Sequence, residues 1–184
     1  MCLYLKKYKN EEESDKYIKI ARDKSYQIKN LSDKLFEYFL AFNNMDEDNK
    51  EMKKYNGNML IDQFLMENIC LLEEENMNIH FNNNCFITFN INVNLDYLRR
   101  VFDNVFSNIK KYSKKGNEII INLYEENNHI CIEFINHCIE KTKEIESNKI
   151  GLKSSQKLME NMKGTLEYLE RDDIFITKIK IPII

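Results

Sequence analysis

The sequence is poor in the residues that interrupt regular structure: it has one proline, Pro182, and four glycines among 184 residues. Chains that stay disordered are typically poor in hydrophobic residues, whereas 43% of this chain is hydrophobic. The composition therefore predicts a folded protein. Its length is sufficient for one full domain with a smaller appendage.

Three further absences limit the compartment and the partners. None of the five cysteines stands in a CxxC pair, which argues against a zinc site or a disulfide framework and favours a reducing cytoplasm. No run approaches the roughly 18 apolar residues of a membrane-spanning helix, and the N-terminus lacks a signal-peptide pattern. The formal net charge of −3 argues against a dedicated nucleic-acid binder, for which a basic stripe is expected.

The segment LDYLRRVFDNVFSNIKKY, residues 95–112, combines two patterns on one predicted helix. Asn104, Asn108 and Lys111 advance by four and then three residues along one face. An amide oxygen is a suitable Mg²⁺ ligand and a lysine neutralises phosphate, so this face indicates a site for a metal ion and phosphates. The alternative is an ordinary solvated face in a chain rich in Asn and Lys. A neighbouring apolar stripe, with alternating steps of three and four, consists of Leu95, Leu98, Phe102, Val105, Ile109 and Tyr112.

The part NVFSNIKKY, residues 104–112, resembles the N box of sensor histidine kinases, whose pattern is N-hydrophobic-hydrophobic-x-N-A-x-K-Y/F/H. That box belongs to the ATP-binding α/β sandwich, or Bergerat fold, shared with Hsp90-type and gyrase-type ATPases. The resemblance implies that Asn108 holds Mg²⁺ and that Asn104 orients a water or the γ-phosphate. It also implies that Lys111 neutralises the α- and β-phosphates and that Tyr112 flanks the nucleotide. Ile109 replaces the usual small residue.

A long helix is predicted from about Ser14 to Asn43, with a heptad seam of hydrophobic residues that needs a partner helix. The region from residue 4 to residue 44 resembles the dimerisation and histidine-phosphotransfer hairpin of the same kinases, which implies a homodimer. The family's phosphoacceptor histidine lies upstream of such a segment, and this chain lacks it. Packing within one globule is the alternative. The seam is Ile18, Ala21, Ser25, Ile28, Ser32, Leu35, Phe39 and Phe42.

The rest of the chain is predicted to follow the family's order of helices and strands. Helices are expected at 59–75, 95–112 and 152–162, and strands at 78–82, 86–93, 118–124, 129–135, 165–170 and 174–181. The buried side of the first of these helices is predicted to be Leu60, Phe64, Met66, Ile69 and Leu72. The fold class is therefore α+β: a Bergerat-type sandwich with a mixed sheet covered by three helices, preceded by a helical hairpin segment. The predicted divisions are 1–45 (partial hairpin), 46–56 (linker) and 57–184 (ATP-binding catalytic domain).

Two nucleotide motifs depart from the family. Where the family has D-x-G-x-G, with an Asp that accepts the adenine amino group, this chain has Asn136, and Cys138 takes the place of the glycine. An amide oxygen accepts the same hydrogen bond without charge assistance, while an ordinary strand end is the alternative. The lid is short, from Glu140 to Lys149, and its G-x-G-L ending keeps only Gly151 and Leu152. The resemblance implies that these last two residues admit the phosphates.

The resemblance implies the ATP-binding catalytic region of a two-component sensor histidine kinase, with ATP and Mg²⁺ as cofactors. The γ-phosphoryl group would pass to an upstream protein histidine and then to a response regulator. The chain would be cytoplasmic, and a membrane connection would lie in a parent region outside it. A dimerising pseudokinase that docks a partner is the alternative, favoured by the degenerate lid and by Cys138. An anti-sigma-type kinase fits less well, because the long heptad helix belongs to the histidine kinase hairpin.

Overall fold

The structure is a computed structural model that describes residues 16–29, 31–32, 35, 51–139 and 150–184. The chain divides into two units between Asp46 and Glu47. In the first unit, residues 16–29 form helix α1, and residues 31, 32 and 35 are also helical, as predicted. The seam side chains Ile18, Ile28 and Leu35 are 63–70% exposed. The predicted helix ends and the preceding partner helix lie outside the described residues.

The second unit contains two sheets. Strands β1 (Lys53–Asn56) and β3 (Asn90–Val93) form an antiparallel pair. Strands β2 (Asn78–Asn83), β4 (Glu118–Glu126), β5 (His129–His137), β6 (Thr165–Arg171) and β7 (Ile174–Pro182) form a five-stranded sheet in the order β2-β4-β5-β7-β6. Strand β2 runs parallel to β4, and the other neighbours are antiparallel. The predicted mixed sheet is confirmed.

The described residues of this unit also form three helices: α2 (Gly57–Glu74), α3 (Leu95–Tyr112) and α4 (Ile150–Asn161). An asparagine caps α2 and α3, since the side chains of Asn56 and Asn94 each accept a hydrogen bond from a backbone N–H three residues later. The core lies between helices and sheet, where the rings of Phe106 on α3 and Phe134 on β5 meet edge to face at 5.3 Å. The α+β fold class is therefore confirmed. Among the helices in the described ranges, none is both long and apolar enough to cross a membrane.

The segment before β3 was predicted as a strand from Phe86, but the strand begins only at Asn90. The Asn58 side chain donates to Ile87 O and accepts from the Phe89 N–H, both at 2.9 Å. These backbone groups are therefore satisfied by a side chain instead of a neighbouring strand. Phe86 is 90% exposed, so this part of the prediction is wrong.

Two further predictions differ from the structure. Residues 53–56, assigned to the linker, form β1, in which Tyr55 pairs with Ile91 of β3. The local sequence does not predict this strand, because it depends on pairing with a distant segment. On α2, Met66 is 43% exposed, whereas Ile61 and Leu65 are fully buried. Phe64, Ile69 and Leu72 of the predicted buried side are buried, whereas Leu60 is only half-buried. The prediction was therefore right for these three residues and missed Ile61 and Leu65, because this helix is hydrophobic on more than one side.

The start of α2 is packed closely against the loop before β3. The Gly57 N–H donates to Phe89 O at 2.9 Å. A Cβ atom at position 57 would overlap the Phe89 ring. Phe89 itself is buried, and its ring occupies the space that a side chain at position 57 would need.

Candidate functional site

Helix α3 has the two faces that its sequence predicts. Leu98, Phe102, Val105 and Ile109 of the apolar stripe are buried. Asn104 and Asn108 are only half-buried, and Lys111 is exposed. The polar row therefore lies off the core, where it can meet a ligand.

Asn104 joins α3 to the first turns of α4. Its Nδ2 donates to Gly151 O at 3.2 Å and to Ser155 Oγ at 2.9 Å. Both amide hydrogens are thereby used within the protein, and Oδ1 remains available to accept a hydrogen bond from a donor such as water. Sequence reasoning assigned Asn104 a role toward the nucleotide and expected Ser155 to be able to face a phosphate. It missed the contact between the two, in which Ser155 is fully buried. The signal was its spacing, because Ser155 lies three residues from both Leu152 and Leu158 and therefore on the apolar side of the predicted helix.

The side chains of the other polar N-box residues make fewer hydrogen bonds with the described residues than Asn104 does. No hydrogen bond joins the Asn108 side chain to another residue within the described part of the chain. Lys111 Nζ lies 4.9 Å from the centre of the Tyr112 ring, over its face. An amide, an ammonium and an aromatic ring are thus presented along one helix within two turns.

The end of α3 meets the end of β5, where the predicted adenine contact lies. The Ile139 N–H donates to Tyr112 O at 3.0 Å, and the Lys114 N–H donates to His137 O at 2.7 Å. Asn136 is 3% exposed, and its Nδ2 lies 3.7 Å from Cys138 Sγ as a donor. The N box and the predicted base-reading residue are therefore neighbours in space.

The start of α4 supplies the last predicted contacts. Leu152 is 4% exposed, so its side chain belongs to the core and only its backbone N–H is suited to a phosphate. A Cβ at Gly151 would lie 3.6 Å from Asn104 Cγ, an ordinary contact distance, so the glycine leaves open space beside the amide. Lys149 and the rest of the predicted lid lie outside the described residues.

These contacts arrange the predicted residues along α3. Asn104 meets Gly151 near the middle of the helix, and Tyr112 adjoins the end of β5 at its C-terminus. Eight residues of helix separate these two points, or about 12 Å.

One hydrogen-bonded pair of side chains lies on the opposite face of the sheet end from Asn136. His137 Nδ1 is 3.0 Å from Asp173 Oδ2. The hydrogen bond from His137 lowers the pKa of the Asp173 carboxyl. Because successive strand residues point to opposite faces, this pair does not compete with Asn136 for a ligand.

No protein-family model matches the sequence. The chain is similar to the sensor histidine kinase YrkQ of Bacillus subtilis (strain 168), with 31% identity over 158 residues, covering 86% of this chain and 36% of that protein. The chain thus spans about a third of the length of the curated relative that it matches.

Solved structures give the same fold. Histidine kinase ThkA in complex with the response regulator protein TrrA matches 91% of this chain and 50% of its own, with a TM-score of 0.63 and 16% identity. Full-length ShkA in complex with AMPPNP matches 86% of this chain and 36% of its own, with a TM-score of 0.66 and 11% identity. The isolated catalytic domain of ThkA is matched over 95% of its length, with a TM-score of 0.57 and 16% identity. At such identities the likeness establishes the fold alone.

Proposed function

Because the chain belongs to the sensor histidine kinase family, we propose that it is the ATP-binding catalytic region of a two-component sensor. It would bind ATP with Mg²⁺ and transfer the γ-phosphoryl group to a protein histidine upstream of this region. The observation that carries the proposal is the Asn104–Gly151 hydrogen bond. It brings the N box and the remnant of the G-x-G-L motif together, 47 residues apart in sequence.

The proposed roles follow the order of groups along α3. Lys111 neutralises the α- and β-phosphates, and Tyr112 flanks the nucleotide beside Asn136, which reads the base. Asn104 orients a water through Oδ1, and that water can in turn donate to the γ-phosphate, while Nδ2 of Asn104 keeps the start of α4 in place. The protein thus contributes positioning and charge neutralisation, which are the main requirements of phosphoryl transfer.

A magnesium ion fits the donor set. The Asn108 amide is half-buried and has no hydrogen-bond partner in the described part of the chain, so its oxygen is available as a ligand. Across the described ranges, no three His, Cys, Asp or Glu side chains are grouped to hold a metal. One amide oxygen suits Mg²⁺, which usually keeps several waters and takes further oxygens from substrate phosphates. When bound, the ion would neutralise charge on the phosphates.

The partners follow from the same proposal. The exposed seam of α1 would pair with another hairpin to form a homodimer. A response regulator would receive the phosphoryl group, as the complex of ThkA with TrrA suggests. Any membrane attachment would come from a part of the parent protein outside this chain. A pseudokinase remains the competing function only if nucleotide binding fails.

Nucleotide binding tests the proposal directly. Calorimetric titration with ADP and AMPPNP should show Mg²⁺-dependent binding that is weak, since a short lid forfeits several backbone hydrogen bonds of about 0.5–1.5 kcal/mol each. Submicromolar affinity would show that the lid is no handicap. No binding at millimolar nucleotide would favour the pseudokinase.

A pair of adjacent lysines provides a matched control. Lys111→Gln should weaken binding by roughly 10- to 100-fold, because it removes a charge-assisted contact of about 1.5–3 kcal/mol. Lys110→Gln makes the same change in net charge, but Lys110 is bound to Glu75 at 2.6 Å, on another face of the helix. Equal losses in the two variants would mean that only the overall charge matters.

A further inference from the structure

The hydroxyl of Ser113 is the unexplained polar group of this region. Ser113 follows α3 directly and is 8% exposed. Its Oγ is buried and has no hydrogen-bond partner among the residues that the structure describes. An unpaired buried hydroxyl costs free energy, so its presence calls for a partner that the described residues do not supply.

The backbone pairing indicates where this hydroxyl lies. Ser113 and Cys138 form an antiparallel bridge, and residues directly opposite each other across such a bridge place their side chains on the same face. Asn136 lies two residues before Cys138 and shares that face, as the contact between Asn136 Nδ2 and Cys138 Sγ also shows. Ser113, Asn136 and Cys138 therefore form a polar group at one sheet end. Cys138 is the more exposed member of the bridged pair.

The chemistry of this group differs from that of a carboxylate. An ionised carboxylate only accepts hydrogen bonds, whereas an amide and a hydroxyl both donate and accept. On its pairing edge, adenine presents an amino donor and the N1 acceptor. Guanine presents the O6 acceptor and the N1–H donor. A carboxylate placed to accept from the 6-amino group of adenine repels O6 of guanine at the same position, while an amide there satisfies either group by rotating through 180°.

We infer that Ser113 is a base-contacting residue of the nucleotide site, and that with Asn136 it makes the site accept adenine and guanine nucleotides alike. The inference rests on the proposed nucleotide binding and adds the class of ligand to it. Cys138 lies beside both polar groups, so its side chain would have to move aside for the base to enter. The bound purine then supplies the partner that Ser113 Oγ lacks among the described residues.

Competition binding on the full chain, with Mg-ADP and Mg-GDP, tests the inference. The wild type should bind the two within about tenfold of each other. Asn136→Asp, measured at pH 8 so that the carboxyl is ionised, should shift the ratio toward ADP by at least about tenfold, equal to 1.4 kcal/mol. A wild-type preference for ADP above about a hundredfold, or a ratio unchanged by Asn136→Asp, overturns the inference.

Ser113→Ala provides an independent reading. It should weaken both nucleotides by about three- to tenfold, the value of one hydrogen bond. Because it removes an unpaired buried group, it should not lower the melting temperature of the nucleotide-free protein. Thr165→Val, an exposed position on the other face of the sheet, is the control for loss of a hydroxyl and should leave both affinities unchanged. Lower stability with unchanged affinities would assign Ser113 a structural role and overturn the inference.

The failures of the two proposals are distinguishable. If ADP binds in a Mg²⁺-dependent manner and GDP does not, nucleotide binding stands and relaxed base recognition falls. If neither binds at millimolar concentration, both fall.

Discussion

Replacing Asn104 by alanine should destabilise the fold as well as impair the site. The substitution removes the hydrogen bonds to Gly151 O and Ser155 Oγ. At about 0.5–1.5 kcal/mol each, the two bonds contribute roughly 1–3 kcal/mol. For a domain of this size that corresponds to a melting temperature lower by about 3–10 °C. Ser155 is fully buried, so the variant also leaves a hydroxyl without its partner.

Asn108 is the matched control, one helical turn along the same face. Because its side chain has no hydrogen bond in the described part of the chain, Asn108→Ala should change stability by no more than about 0.5 kcal/mol. It should nevertheless abolish Mg²⁺-dependent nucleotide binding, since it removes the ligand oxygen. Asn108→Asp keeps an oxygen and should retain metal binding while disturbing the nearby phosphates.

Differential scanning fluorimetry of the three variants, with and without Mg-nucleotide, separates these effects. Without nucleotide, only Asn104→Ala should melt early. With nucleotide, Asn108→Ala should lose the stabilisation that ligand binding gives the wild type. Equal melting temperatures for the two alanine variants would refute the account of Asn104. Two Asn108 variants that both bind like the wild type would refute the metal assignment.

Two other predictions concern the rest of the chain. Ile28→Lys with Leu35→Lys should convert dimers into monomers in sedimentation while the second unit stays folded, and a wild type that is monomeric at tens of micromolar would contradict the proposed dimer. The hydrogen bond from His137 lowers the pKa of the Asp173 carboxyl in the folded protein. The stability that this carboxylate contributes is therefore complete at pH values above 3.8, the ordinary pKa of the group, and is lost as the pH falls through the lower pKa of the folded state. Asp173→Asn should therefore lessen the loss of melting temperature below about pH 4, and identical acid slopes would disprove this.

Helix α3 shows how far periodicity carries a prediction. Leu98, Phe102, Val105 and Ile109 are buried, because a polar helix with one hydrophobic stripe has a single way to face a sheet. The predicted stripe nevertheless included too few residues, since Phe106 is buried as well. The polar face could be proposed from residue types, but its contact with α4 depends on packing between distant segments.

The errors have a common physical origin. Strand β1 is four residues long, and Tyr55 is its only large hydrophobic residue, so it is recognisable only through its pairing with β3. The composition of the segment that begins at Phe86 is typical of a strand. Its backbone groups nevertheless form hydrogen bonds with the Asn58 side chain instead of a neighbouring strand. Ser113 went unnoticed because a single serine after a helix carries no pattern. In each case the local structure depends on a contact with a residue that is distant in sequence.

The close approach of Gly57 and Phe89 restricts how this sequence can drift over evolutionary time. Any side chain at position 57 would overlap the aromatic ring at position 89, so the first change must come at 89, with a smaller residue that empties part of the core. That intermediate would carry a cavity and lose stability before a second change could refill it. The two positions should therefore be exchanged together or stay fixed, and a library that varies them jointly should recover functional pairs that single substitutions miss.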